Sequence, residues 1–139
     1  MMKTARGIRN NNPLNIKRGI KWKGLDAIQD DPVFCQFRTA SMGFRAAFIC
    51  MRTYYNKHKC RTITEIIKRW APPSENTTNN YIDFVCVSTG LQPNEKLPPV
   101  SSSNRIWIKI ALAMAFVENG KLPDCYDKYA SIGFYYATI

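Results

Sequence analysis

The sequence predicts one mostly α domain, spanning residues 1–139, with a small N-terminal β-hairpin or loop. Three observations carry that prediction. The segment Ile106 to Val117 holds eleven apolar residues in twelve, with Lys109 its single charge, and a helix apolar on nearly every side belongs at the centre of a fold. Around it lie segments whose apolar residues recur at helical spacing. The first 25 residues instead carry Asn, Gly and Pro as turn signals.

In chain order, Asn10-Asn11-Asn12-Pro13 marks a turn, because asparagine tolerates left-handed backbone and proline blocks a helix. Gly19, within Lys17–Trp22, can turn a short hairpin, and the weak alternation of Phe34–Phe37 allows a short strand. From Ser41 the set Phe44, Ala47, Phe48, Met51 and Tyr55 is helical. Thr62-x-x-Glu65 is a capping box that opens a helix bearing Ile63, Ile66, Ile67 and Trp70, and Pro72-Pro73 stops it. A further helix runs from about Asn79 to Gly90, a natural C-terminal glycine. Ser103 is the expected cap of the central helix, which ends at Glu118-Asn119-Gly120. The Tyr-rich tail either adds one short helix or lies across the surface.

Charge narrows the partners. There are 20 Lys+Arg against 10 Asp+Glu, a formal net charge of +10, at 45% hydrophobic content. That apolar fraction is too high for a disordered basic tail. No apolar run approaches the roughly 20 residues of a membrane-spanning helix. Met1–Lys23 has seven basic residues, no acidic ones and no apolar stretch after it, so it does not read as a secretory signal. Residues 1–70 carry a net +11 and residues 71–139 a net −1. Such a surface favours an anionic polymer: nucleic acid, anionic lipid or bacterial wall. Nucleic acid is disfavoured, since no helix-turn-helix, RNP or zinc pattern is present and the basic residues do not form one helical stripe.

Metal and thiol chemistry find little support. Cys35, Cys50, Cys60, Cys86 and Cys125 contain no C-x-x-C pair, and His58 is the sole histidine, so no metal or other cofactor is expected. His58 sits at a polar helix end and reads as a surface residue. Cys35, Cys50 and Cys86 read as small core residues, and disulfides are neither required nor excluded.

Among the few carboxylates Glu118 stands apart. It lies at the C-terminal end of the most apolar helix, where desolvation and the negative helix pole both disfavour the anion. It therefore fits either a solvated helix-end carboxylate or a general acid with a raised pKa. Asp30 and Asp31 fit either turn and cap residues before Pro32 or the partner carboxylate of a glycosidase pair. Glu65 is explained by its capping box, and Glu75 fits an N-cap or a rigid loop beside a groove. Trp22, Trp70 and Tyr81 could stack on sugars or bases, although its helical spacing assigns Trp70 to the core.

Several uncommon strings occur in order: Arg6-Gly7-Ile8-Arg9-Asn10-Asn11-Asn12-Pro13-Leu14-Asn15-Ile16, then Trp22-x-Gly24, Asp31-x-x-Phe34-Cys35-Gln36-Phe37, Gly43-Phe44-Arg45-Ala46, Trp70–Thr77 and Glu118-Asn119-Gly120-x-x-Pro123. Together they resemble a family of small phage and prophage proteins described as virion structural proteins or peptidoglycan hydrolases. The usual opening of that family is R-G-I-R-N-N-N-P-G-N-I-R. Leu14 stands where the family has Gly, so its turn must avoid positive φ at that position. The tail after Pro123 has no match.

A second similarity links Asn12–Lys17 and Trp22-Lys23-Gly24 to the N-L-F-G-I-K...W-K-G segment of flagellar and autolytic glucosaminidases, which have a lysozyme-like fold. In those enzymes a catalytic Glu precedes that segment. Here no acidic residue precedes Asn12, and the matching context is Glu118-Asn119-Gly120 at the other end. The resemblance thus implies a circularly permuted lysozyme-like domain, in which the buried helix delivers Glu118 to a cleft formed with the Asn-Pro loop.

The function so implied is cleavage of the β-1,4 glycan strand of peptidoglycan, of muramidase, lytic transglycosylase or glucosaminidase type. Glu118 would be its acid, with Asp31 and then Asp30 as candidates for a second carboxylate. Asn12, Asn15, Trp22, Glu75 and Tyr81 would contact the sugars. The implied partners are the wall polymer and other virion or secretion proteins. The implied location is synthesis in the bacterial cytoplasm and action in the periplasm, cell wall or virion. A non-catalytic virion or wall-binding protein of the same fold is the alternative.

Overall fold

A computed structural model describes residues 4–71 and 74–139, without the side chains of Glu75 and Asn76. Its helices are α1 (Arg6–Arg9), α2 (Ala40–Lys57), α3 (Ile63–Trp70), α4 (Glu75–Thr89), α5 (Ile106–Asn119) and α6 (Tyr126–Thr138). The mostly α expectation therefore holds. α5 touches α1, α2, α4 and α6 and buries Trp107, Ile108, Ile110, Ala111, Ala113, Met114 and Ala115. Its Trp107 indole donates to Pro98 O at 3.0 Å, and the Tyr55 hydroxyl to Leu97 O at 2.8 Å. These bonds fasten the loop before α5 onto the core.

The helix ends follow local chemistry. Glu65 N donates to Thr62 Oγ1 at 3.1 Å, while Glu65 Oε1 accepts the Arg61 N–H at 3.0 Å, one residue beyond the expected reach-back. Gly90 and Gly120, at φ 77° and 73°, close α4 and α5 in the left-handed conformation. α4 begins at Glu75, four residues before the expected start. Ser103 does not cap α5; Arg105 holds that position without a side-chain bond, and Ser103 pairs with the Ser101 hydroxyl at 3.3 Å. The proposed proline stop at 72–73 lies outside the described residues.

The N-terminal hairpin does not form. Among the described residues there are two isolated bridges, Lys17 with Phe34 and Leu25 with Phe37, and the first 25 residues include the short helix α1. The segment 16–18 pairs with 33–35 (Cys35 N to Ile16 O, Arg18 N to Val33 O, each 2.9 Å) instead of folding back at Gly19. Asn12 explains the choice. Fully buried, it donates to Ile16 O and Cys35 O and accepts from Ile16 N, each at 2.9 Å. One side chain thereby satisfies backbone groups that a ladder would otherwise pair. Positive φ falls on Asn11 and Asn15, not on Leu14, which is fully buried.

The Tyr-rich tail forms a full helix, α6, packed along α2. Phe44 meets Tyr126 edge-on at 5.3 Å, and Phe48 meets Phe134 at 4.9 Å. Gly133 permits the approach: a Cβ there would stand 2.7 Å from Ser41 O and 2.8 Å from both Arg45 N and Phe44 Cβ. Backbone cannot yield as a flexible side chain can. Gly133→Ala therefore lowers stability by about 1–3 kcal/mol, to be measured by urea unfolding. An unchanged midpoint would show that α6 shifts without strain.

Candidate active site

α5 carries Glu118 to its last turn, and the loop after α1 meets it there. Asn15, at φ 55°, turns its side chain so that Nδ2 donates to Glu118 Oε1 at 2.9 Å. From the other side the Tyr81 hydroxyl of α4 donates to Glu118 Oε2 at 3.0 Å, with Met114 O farther off at 3.4 Å. The next residue, Asn119, donates to Pro13 O at 2.8 Å and Ala115 O at 2.9 Å. Two adjacent residues of α5 thus clamp the Asn-Pro loop. Gly7 completes the packing, since a Cβ there would stand 2.5 Å from Asn119 Oδ1 and 2.9 Å from Asn15 Oδ1.

Glu118 is half-buried. Burial raises its pKa above the ordinary carboxylate value, and the Asn15 and Tyr81 hydrogen bonds offset part of that rise. Burial, and then the neighbouring Glu118 charge, push the Tyr81 phenol far above its usual range, so it remains a donor. Glu118 opens into a cavity of about 260 Å³, whose other walls are Leu14, Asn15, Lys17 and Phe34 on one side and Arg69, Trp70 and Ala71 on the other. A second cavity of about 240 Å³ shares Asn15, Lys17, Arg69 and Trp70 with it and continues over Cys50 and Tyr54. A half-buried carboxyl with a raised pKa in a cleft can give a proton to a bound acceptor and take one back.

The structure brings together three of the expected site residues: Glu118, Asn15 and Tyr81. Tyr81 is buried beneath the carboxyl, so it positions Glu118 and offers no face for stacking. The others stand elsewhere. Asp31 is spent on structure. Its Oδ2 accepts from Arg6 Nε at 2.7 Å and Asn10 Nδ2 at 2.9 Å, and its Oδ1 from Arg6 Nη2 at 2.6 Å and from Val33 N and Phe34 N at 2.9 Å. The Arg6 guanidinium, with help from the Phe34 and Val33 amides and Asn10, holds this carboxyl well below the usual carboxylate range. Asp30 is exposed and lines neither cavity. Asn12 is wholly occupied in the loop. Trp22 packs against the core and lines neither cavity. The Glu75 side chain lies outside the described residues.

Trp70 packs against the core, as its spacing predicts, and its remaining surface is a wall of the cleft. Its Nε1 donates to Leu14 O at 3.3 Å, and its ring meets Tyr54 edge-on at 5.9 Å. Nothing in the local sequence of Lys17, Phe34 and Arg69 relates these residues to Glu118.

No family model matches the chain. It is 43% identical over 128 residues to Protein P5 of Pseudoalteromonas phage PM2, covering 89% of this chain and 77% of that protein. The chain belongs to the Protein P5 family. Kinship with a phage protein agrees with the phage part of the resemblance, while the name Protein P5 states no chemistry. In this P5-family chain no helix among the described residues is long and apolar enough to cross a membrane.

Proposed function

We propose that this protein cleaves the β-1,4 glycan strand of peptidoglycan, with Glu118 as general acid, on a circularly permuted lysozyme-like arrangement. The observation that carries the reading is the half-buried Glu118 carboxyl, of raised pKa, facing a cleft against the Asn-Pro loop. Protonated Glu118 gives its proton to the glycosidic oxygen as the C1–O bond breaks. Glu118 is the one carboxyl on the cavity walls among the described residues. The electron-deficient C1 is therefore met by the substrate's own N-acetyl oxygen, which closes a ring onto it. The Glu118 carboxylate then takes a proton from water or from a sugar hydroxyl as that group attacks C1 and opens the ring. One residue serves as acid and then base, and no second carboxylate is needed.

The test is lysis of purified wall sacculi by wild type and by Glu118→Gln, followed by turbidity and by mass spectrometry of the products. Undiminished lysis by the variant overturns the role of Glu118. No lysis by wild type favours the second reading, a virion or wall-binding protein in which Glu118 serves only as a tie. The observation behind that alternative is that both carboxylate oxygens already accept hydrogen bonds, from Asn15 and Tyr81.

Tyr81→Phe separates positioning from chemistry. Loss of the hydroxyl removes a donor that favours the Glu118 anion, so the pKa of Glu118 rises further. The alkaline limb of the pH–rate profile, where the acid loses its proton, moves to higher pH in the variant. An unmoved limb would dissociate Tyr81 from the titrating group.

A further inference from the structure

We propose that Lys17 and Arg69 form an anion-selecting subsite beside Glu118, so that the cleft takes a glycan bearing carboxylates, through the lactyl group or stem peptide of its muramic acid, in preference to a neutral N-acetylglucosamine polymer. The inference rests on the glycan-cleaving reading and deepens it. Both cations line both cavities, one from the N-terminal loop and one from α3. The loop and α3 therefore each bring a positive charge to the same cleft.

Neither cation has an ion-pair partner among the described residues. Among the described residues the one ion pair is Arg6 with Asp31, and neither Lys17 nor Arg69 donates a side-chain hydrogen bond. Arg69 is nevertheless held in position, its guanidinium lying over the Tyr54 ring at 5.1 Å from the centroid. A stacked guanidinium keeps its N–H edges free for a carboxylate. Glu118, the one carboxyl on these walls among the described residues, has its two oxygens engaged by Asn15 and Tyr81 and forms no ion pair with either cation. Trp70, between the two cavities, offers an aromatic wall that any sugar ring can use. A neutral glycan gains from that wall but nothing from the two cations, whereas a muramyl carboxylate gains from both.

The experiment measures binding and cleavage separately. Three probes are titrated by calorimetry into wild type and into Lys17→Met/Arg69→Met: a disaccharide-tetrapeptide muropeptide, its peptide-free muramyl parent, and chitotriose. Wild type is expected to bind one or both carboxylate-bearing probes about tenfold or more tightly than chitotriose, a preference that falls as salt rises. The double variant is expected to bind all three alike and to stay folded, with a melting temperature lowered only by loss of the exposed Arg69–Tyr54 contact. Lys17→Arg, which keeps both charges and leaves the stacked Arg69 in place, is expected to retain the preference. Preference for the muropeptide alone assigns the stem peptide as the carboxylate source; preference for the peptide-free parent assigns the lactyl group. Equal binding of all three probes by wild type, or a preference that survives the double substitution, overturns the subsite. If wild type binds with this preference and cuts nothing, only the catalytic reading fails.

Discussion

Replacing Glu118 by Gln is expected to lower glycan cleavage by about 10²–10⁴-fold, the usual contribution of a positioned general acid. The fold should be indifferent to the change. Gln can accept from Asn15 Nδ2 through its carbonyl oxygen and place its amide group against the Tyr81 hydroxyl, which can turn to accept. Burial already disfavours the Glu118 anion, so a neutral amide of the same shape loses little. Turbidity loss of sacculi, run beside a thermal melt, reads both effects. A fall in lysis accompanied by a large fall in melting temperature would mean that the carboxyl holds the loop and nothing more.

Asp31→Ala gives the opposite profile, a large loss of stability from a residue outside the cleft. The substitution strands the Arg6 guanidinium, the Asn10 amide and the Val33 and Phe34 N–H groups. Removing a carboxylate with this many charge-assisted partners costs about 2–4 kcal/mol, which lowers Tm by roughly 5–15 °C for a chain of this size. The pH dependence has a definite sign. The folded state holds Asp31 ionised far below its unfolded pKa of ~3.9. Its stabilisation is therefore complete above that pH and is lost as pH falls below it. Melts at descending pH should show wild type losing its advantage over Asp31→Ala. Parallel curves for the two proteins would remove Asp31 from the acid sensitivity.

What could be read in advance was whatever one or two helical turns decide. The Thr62–Glu65 box, the closing glycines 90 and 120, and the apolar run of α5 each act through residues at most four positions apart. Glu118 was visible for the same reason, since an apolar helix that ends in a carboxyl announces a desolvated charge. α6 was obscured because its buried face is made of Tyr126, Ala130, Gly133, Phe134 and Ala137. Tyrosine and glycine are ambiguous in any apolar pattern, and only α2 gives Gly133 its reason. The local turn role of Asp31 is legible from Pro32 beside it, but the longer-range ties of Asp31 and Asn12 are not, because those partners lie far along the chain. Asp31 answers to Arg6, 25 positions away, and Asn12 to Cys35, 23 positions away. A polar residue in a turn-rich stretch looks solvated until the backbone groups it serves are in place.

The union of Asn15 with Glu118 spans 103 positions, and that of Pro13 with Asn119 spans 106. On the ribosome, at about 5–20 residues per second, the loop would wait some 5–20 s for its carboxyl to be made. A nascent chain that ends before Glu118 therefore carries the Asn-Pro loop without either of its two ties to α5.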